Sequence, residues 1–262
     1  MALADLARAG VVKSDPRLIV ALDVPTPAEA EGLVDRLGDA VAFYKVGLQL
    51  LAAGGMETAR ALKRRGRKVF LDWKLHDIGA TVEKATATLA ASEAGDFVTV
   101  HAEPQVLAAA VRGRADAPLK VLGVTVLTSL TDQDLGPIGY QASLASLVER
   151  RVRQVLEAGA DGVIVSPREA ALARRIGGPD LLVVTPGVRP AWASADDQAR
   201  AETPAHTLSQ GASHIVCGRP ITGAADPRAA ALAVAEEMAG LQASPPAGRV
   251  RRCALRGPLP SD

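Results

Sequence analysis

Only two cysteines, Cys217 and Cys253, occur in 262 residues. That excludes a disulfide framework and a cysteine-rich metal site. The four histidines, His76, His101, His206 and His214, show no short paired spacing of the zinc kind, so no metal centre is expected. No apolar run is long enough to cross a bilayer. The opening MALADLARAGVVKSDPR carries Asp5 and Arg8 where a secretory signal needs an unbroken apolar stretch. An excess of charge of one sign is missing as well. The formal net charge is +1, which gives no reason to expect a nucleic-acid or acidic-membrane partner. A cytoplasmic, reducing location is the expectation.

What the chain does have is 48% hydrophobic residues, arranged in short runs. Eight of them recur: RLIVALD (17–23), VAFYKVG (41–47), KVFLDWK (68–74), DFVTVHA (96–102), LKVLGVTVL (119–127), DGVIVS (161–166), LLVVTPG (181–187) and HIVCGR (214–219). They are nearly continuous rather than strictly alternating, as in strands of a parallel sheet covered on both faces. Ala/Leu/Glu/Arg-rich stretches of helical length lie between them. TPAEAEGLVDRLG has Thr26 as a cap, Pro27 in the first turn and Gly38 as a stop. METARALKRRG stops at Gly66. Eight βα units in one chain of this length predict an α/β fold, a single-domain (β/α)8 TIM barrel. An open doubly wound sheet fits less well, because no G-x-G-x-x-G follows the first strand. The expected division is an N-terminal segment (1–16), the barrel (17–241) and a Pro/Arg-rich tail (242–262) that reads as disordered. Two long stretches, 129–141 and 189–205, have the length of binding loops or lids.

In such a barrel the active site forms at the C-terminal ends of the strands. Asp23 ends the first strand and Lys45 the second, while Asp72 and Lys74 end the third, with Asp77 just beyond. Salt bridges that merely tie neighbouring strands would account for any one pair. Four charges of alternating sign at one mouth point further, to a site whose groups tune each other's protonation. A lysine among carboxylates keeps its proton, which makes it a cation and proton donor rather than a Schiff-base nucleophile. On the far side, Gly218-Arg219 precedes PITGAADPRAAALAVAEEM, which reads as one helix with its free N–H groups facing an anion. Arg219 adds a fork of donors and Gly218 a close backbone approach, so this is the expected phosphate site. His76 reads as a packing or hydrogen-bonding residue.

The stretch Leu71-Asp72-Trp73-Lys74-Leu75-His76-Asp77-Ile78-Gly79-Ala80-Thr81-Val82 resembles the signature of the orotidine 5′-phosphate decarboxylase family. ALD (21–23), KVG (45–47), TVLTS (125–129), TPGVRP (185–190), DQ (197–198) and GRPIT (218–222) follow the family's order, over roughly Arg17 to Gly240. The resemblance implies decarboxylation of orotidine 5′-phosphate to UMP, the last step of de novo UMP synthesis, with no metal or organic cofactor. It implies Lys74 as the proton donor, Asp72 beside the departing carboxylate, and Asp23 and Lys45 at the ribose. It further implies Thr128 at the base, and Arg189, Gln198, Gly218 and Arg219 at the phosphate and lid. Asp77 and Thr81 would reach across a homodimer interface into the partner's site. Two departures stand out: Gly79-Ala80 where the family usually has Pro-Asn, and Glu103-Pro104 where it often has Gly-Gly. The competing readings are a related barrel that decarboxylates or condenses sugar phosphates with Mg²⁺, and a non-catalytic nucleotide-binding barrel.

Overall fold

The computed structural model describes residues 14–193 and 202–240. Eight parallel strands close into one barrel in chain order: β1 (Leu18–Ala21), β2 (Phe43–Gly47), β3 (Lys68–Leu75), β4 (Phe97–His101), β5 (Lys120–Val124), β6 (Gly162–Ile164), β7 (Leu182–Pro186) and β8 (His214–Cys217), with β8 pairing back on β1. The main outer helices are α1 (Pro27–Leu37), α2 (Leu48–Arg64), α3 (Gly79–Ser92), α4 (Pro104–Arg114), α6 (Leu144–Glu157), α7 (Ala170–Gly177) and α10 (Pro227–Met238). Three short helices, α5 (Asp132–Leu135), α8 (Pro204–Ser209) and α9 (Arg219–Thr222), decorate the connections.

The strands alternate strictly in the direction of their side chains. Leu18, Val20, Tyr44, Val69, Leu71, Val98 and Val100 face outward into the layer of helices. Ile19, Ala21, Phe43, Phe70, Phe97, Leu122, Val124, Ile164, Val184 and Val216 form a separate cluster that fills the barrel itself. Both faces are apolar for much of each strand, which is why the runs in the sequence look continuous. The same parity places Asp23, Lys45, Asp72 and Thr99 on the inner side, each two positions beyond Ala21, Phe43, Phe70 and Phe97 in turn. Thus the barrel floor is apolar and the charges begin where it opens.

The lower end is plugged by aromatic rings. Phe43 and Phe97 meet edge to face at 5.0 Å, and the His214 ring stands edge-on to both, at 5.8 and 5.3 Å. Burial, followed by the nearby Lys68 ammonium, pushes the His214 pKa down to about 4, and its Nδ1 has no hydrogen-bond partner among the described residues. The ring is therefore neutral in the fold. Between about pH 6.5 and the folded value, the unfolded chain binds the extra proton, so stability falls as pH drops through that window. The expected loss is about 3 kcal/mol over the window, or some 6–12 °C in Tm. Thermal melts from pH 7 to 4 should show a flatter profile for His214→Phe than for the wild type; identical slopes would refute the assignment.

All eight expected strands are present, and α1 is capped as expected, with the Thr26 side chain accepting from the Glu29 amide at 3.2 Å. The helical boundaries differ in three places. Helix α2 begins at once after β2, and its first turns are broken from the rest at Gly54, whose φ of +120° only glycine adopts without strain. The stretch after Arg219 is two helices rather than one. Gly223 ends α9, and Asp226 starts α10 afresh by accepting from the Ala229 amide at 3.0 Å. The stretch 129–141 contains α5, held by a reciprocal cap between Thr131 and Asp134.

Candidate active site

The inner faces of β1, β2 and β3 bring the four predicted charges into one chain of contacts. Lys45 Nζ lies 3.1 Å from Asp23 Oδ1 and 3.3 Å from Asp72 Oδ2, and Lys74 Nζ lies 2.8 Å from Asp72 Oδ1. Asp72 is the hub. Burial pushes its carboxyl up, but the Lys45 and Lys74 ammoniums, with hydrogen bonds from Lys74 and Thr99, outweigh this and leave it below the usual carboxylate range. Gly47 keeps the array open: a Cβ there would sit 2.8 Å from Lys45 Nζ and 3.0 Å from Asp23 Oδ1.

Lys74 reaches this position through an irregular end of β3. Its pairing with β4 shifts register between Leu71 and Leu75, and Lys74 itself has a φ of +49°. That left-handed backbone is uncommon for a residue with a Cβ and marks a constrained position.

The charged array forms one wall of a cleft of about 280 Å³, and Phe70, Val124, Ile164 and Val216 make its apolar floor. Thr128, after β5, stands at the edge. The opposite rim comes from β7 and β8: Gly187 and Arg189 on one side, Gly218 and Arg219 on the other. Arg189 is buried at 8% exposure, while Arg219 is exposed at the mouth. Because α9 is only one turn long, this rim presents the two arginines and the Gly218–Arg219 backbone in place of the long helix expected from the sequence.

Asp77 and Thr81 are not brought into this cleft. Both are exposed, Asp77 accepting from the Ile78 amide at 2.6 Å and Thr81 lying in the first turn of α3. The Gly79-Ala80 departure leaves that turn regular, with the Thr81 and Val82 amides donating to the Ile78 carbonyl at 3.0 and 3.1 Å. Gln198 lies outside the described residues, as do parts of the expected lid. At the other departure, Pro104 opens α4 and Glu103 turns its carboxylate to His76 Nε2 at 3.1 Å, with the His76 and His101 rings 4.6 Å apart. Burial and then His76 hold His101 below the ordinary imidazole value. Sequence reading missed Thr99, which is fully buried and bonded to both Asp72 and Lys74. Its one signal is a hydroxyl in the apolar run FVTVH, at the inward parity of Phe97.

An ammonium fixed against a carboxylate above an apolar floor, facing a cationic rim, is suited to a flat anionic ligand that develops negative charge near the lysine. The profile of the "Orotidine 5'-phosphate decarboxylase / HUMPS family" matches residues 16–234. The chain belongs to this family. Among its members, the orotidine 5'-phosphate decarboxylase of Caulobacter sp. (strain K31) is 62% identical over 230 residues, covering 88% of this chain and 100% of the relative. That of Rhodopseudomonas palustris (strain BisB5) is 52% identical, covering 87% of this chain and 99% of the relative. The crystal structure of orotidine 5'-phosphate decarboxylase from Lactobacillus acidophilus superimposes with a TM-score of 0.75 at 36% identity, covering 86% of this chain and 99% of that one. Asp72, Lys74 and Asp77, close together in the sequence, are separated by the structure: the first two line the cleft, and the third is exposed outside it. Among the described residues, no cluster of three or more His, Cys, Asp or Glu is placed to hold a metal ion. No described helix is long and apolar enough to cross a membrane.

Proposed function

We propose that this chain converts orotidine 5′-phosphate to UMP and CO2 in pyrimidine biosynthesis, in the cytoplasm, as a cofactor-free homodimer with Lys74 as proton donor. The observation that carries the reading is the Lys74 ammonium, held 2.8 Å from Asp72 at the wall of an apolar-floored cleft. The phosphate binds at the rim of Arg189, Gly218 and Arg219, with Gln198 completing the grip. The ribose hydroxyls meet Asp23 and Lys45, and the pyrimidine lies over the floor with Thr128 at its edge. The substrate carboxylate then stands beside Asp72. Breaking the bond from C6 to the carboxylate leaves the electron pair on C6 and releases CO2. The fixed ammonium stabilises that charge in a partly dry site and then gives C6 a proton, forming UMP; water restores the proton to Lys74. Binding energy gathered at the phosphate, remote from C6, helps hold the reacting atoms in place.

The homodimer reading rests on the surface around the mouth. Leu48, Leu51, Ile78, Leu127 and Ile138 are exposed apolar side chains on segments that follow β2, β3 and β5 at the same end of the barrel. Asp77 and Thr81 lie among them, and a second copy on this face would receive both near its own cleft. Mixing Lys74→Ala with Asp77→Asn subunits creates hybrids with one intact site, so activity should return to about a quarter of the wild-type level. No recovery with exchange confirmed would refute the shared site.

The Mg²⁺-dependent alternative is disfavoured by Asp72 itself, whose oxygens already face two ammoniums and the Thr99 hydroxyl. The deciding experiment is the conversion of orotidylate by purified protein, followed by the loss of ultraviolet absorbance, with and without EDTA. Turnover untouched by EDTA is expected. Loss that Mg²⁺ restores would overturn the cofactor-free reading, and no conversion at all would overturn the function.

A further inference from the structure

We infer that Thr99 is a positioning residue for the Asp72–Lys74 pair, acting through its hydroxyl; this rests on the proposed decarboxylase reading. Thr99 sits on β4 with no exposed surface, and it is not among the residues that line the cleft. Its Oγ1 accepts from the Lys74 backbone amide at 3.0 Å, and the same hydroxyl donates to Asp72 Oδ1 at 3.0 Å. One buried group therefore ties down two things at once.

The first is the backbone of Lys74. Where the register between β3 and β4 slips, the ladder cannot supply a carbonyl to every amide, and Lys74 adopts its φ of +49° there. A buried amide without a partner is costly, so the Thr99 oxygen replaces the missing ladder acceptor and makes the left-handed turn tenable. The second is the carboxylate of Asp72. Asp72 is faced by Lys45 from β2, Lys74 from β3 and Thr99 from β4, with Asp23, just past β1, reached through Lys45. The two lysines pull on the carboxylate from different sides. The hydroxyl supplies a directed bond to Oδ1, the same oxygen that Lys74 Nζ approaches at 2.8 Å. The β-branched side chain is stiff at χ1, which keeps that direction fixed.

The test uses orotidylate turnover by Thr99→Val, which keeps the shape and removes the hydroxyl, and Thr99→Ser, which keeps the hydroxyl. The expected result for Thr99→Val is a kcat lowered about 10²-fold with KM little changed, because the groups it displaces act on the reacting atoms and not on the phosphate grip. Thr99→Ser should recover most of the loss. The acid limb of the pH profile should move upward in Thr99→Val, because Asp72 has lost a bond that favours its charged form. A packing role alone would lower Tm and leave these three readouts in place. Wild-type kcat in Thr99→Val overturns the inference. Should that variant fail to fold, Thr99→Cys, with its weak donor, takes its place under the same criterion. If wild-type protein does not convert orotidylate, the decarboxylase reading fails separately. A ¹³C NMR titration of the Asp72 carboxyl then decides the contact without turnover: a raised pKa in Thr99→Val supports it, and an unchanged one overturns it.

Discussion

Lys74→Ala is expected to lower kcat for orotidine 5′-phosphate by about 10⁵-fold while the barrel stays folded. The estimate joins two losses: about 10²–10³ for a preorganised group facing the developing charge, and about 10²–10⁴ for a positioned proton donor. Folding should survive because Asp72 keeps Lys45 at 3.3 Å and the Thr99 hydroxyl at 3.0 Å when Lys74 is gone. The largely buried carboxylate left behind is thus still paired, and the side chain removed is itself partly exposed at the cleft. Steady-state turnover and a thermal melt on the same preparation check both halves. Turnover within tenfold of wild type would rule Lys74 out as the proton donor. A wild type that is itself inactive would instead revive the non-catalytic reading.

Asp72→Ala is expected to behave differently: it should be both inactive and clearly less stable. Asp72 has 14% side-chain exposure and stands between two ammoniums, so its removal leaves like charges facing each other in a site with little water. Breaking a buried pair by taking one partner costs about 3–5 kcal/mol. Lys45 retains Asp23 at 3.1 Å, which places the expectation at the lower end, about 3 kcal/mol or a Tm lower by some 6–12 °C. The sign with pH follows from the depressed folded pKa of Asp72. The stabilising contribution is complete above the unfolded carboxylate value of about 3.9 and fades as pH falls through the lower folded value. Melts of the two proteins should therefore converge in strong acid and stand apart near neutrality. An Asp72→Ala protein as stable as Lys74→Ala at pH 7 would contradict the description of Asp72 as the hub.

The contrast between these variants separates what each residue does from where it sits in the sequence. Asp72, Lys74 and Asp77 look alike as neighbours in D-x-K-x-x-D. In the fold, Asp72 is central and largely buried, Lys74 is turned toward the cleft by a left-handed backbone, and Asp77 is exposed on the face where the homodimer is proposed.

The eight strands, their parallel order and the end of the barrel that carries the charges were legible along the chain. Each depends on interactions within a few residues: burial on two faces makes the runs apolar, and Thr26, Gly38 and Gly66 mark helix ends through local backbone chemistry. Which strand residues look inward was not legible in these near-continuous runs; the structure shows Asp23, Lys45 and Asp72 each two positions beyond an inward apolar residue. One local signal is passed over when the run after Gly218 reads as one helix: Gly223 and Asp226-Pro227 carry stop and cap chemistry of their own, and the structure divides the run there into α9 and α10. Contacts between elements were not legible. Thr99 reads as one more β-branched strand residue until the register slip between β3 and β4 places the Lys74 amide and the Asp72 carboxylate against its hydroxyl. Periodicity and local caps are short-range and survive in one dimension. Which oxygen meets which proton depends on strand register and barrel closure, and those are settled only when all eight strands pack together.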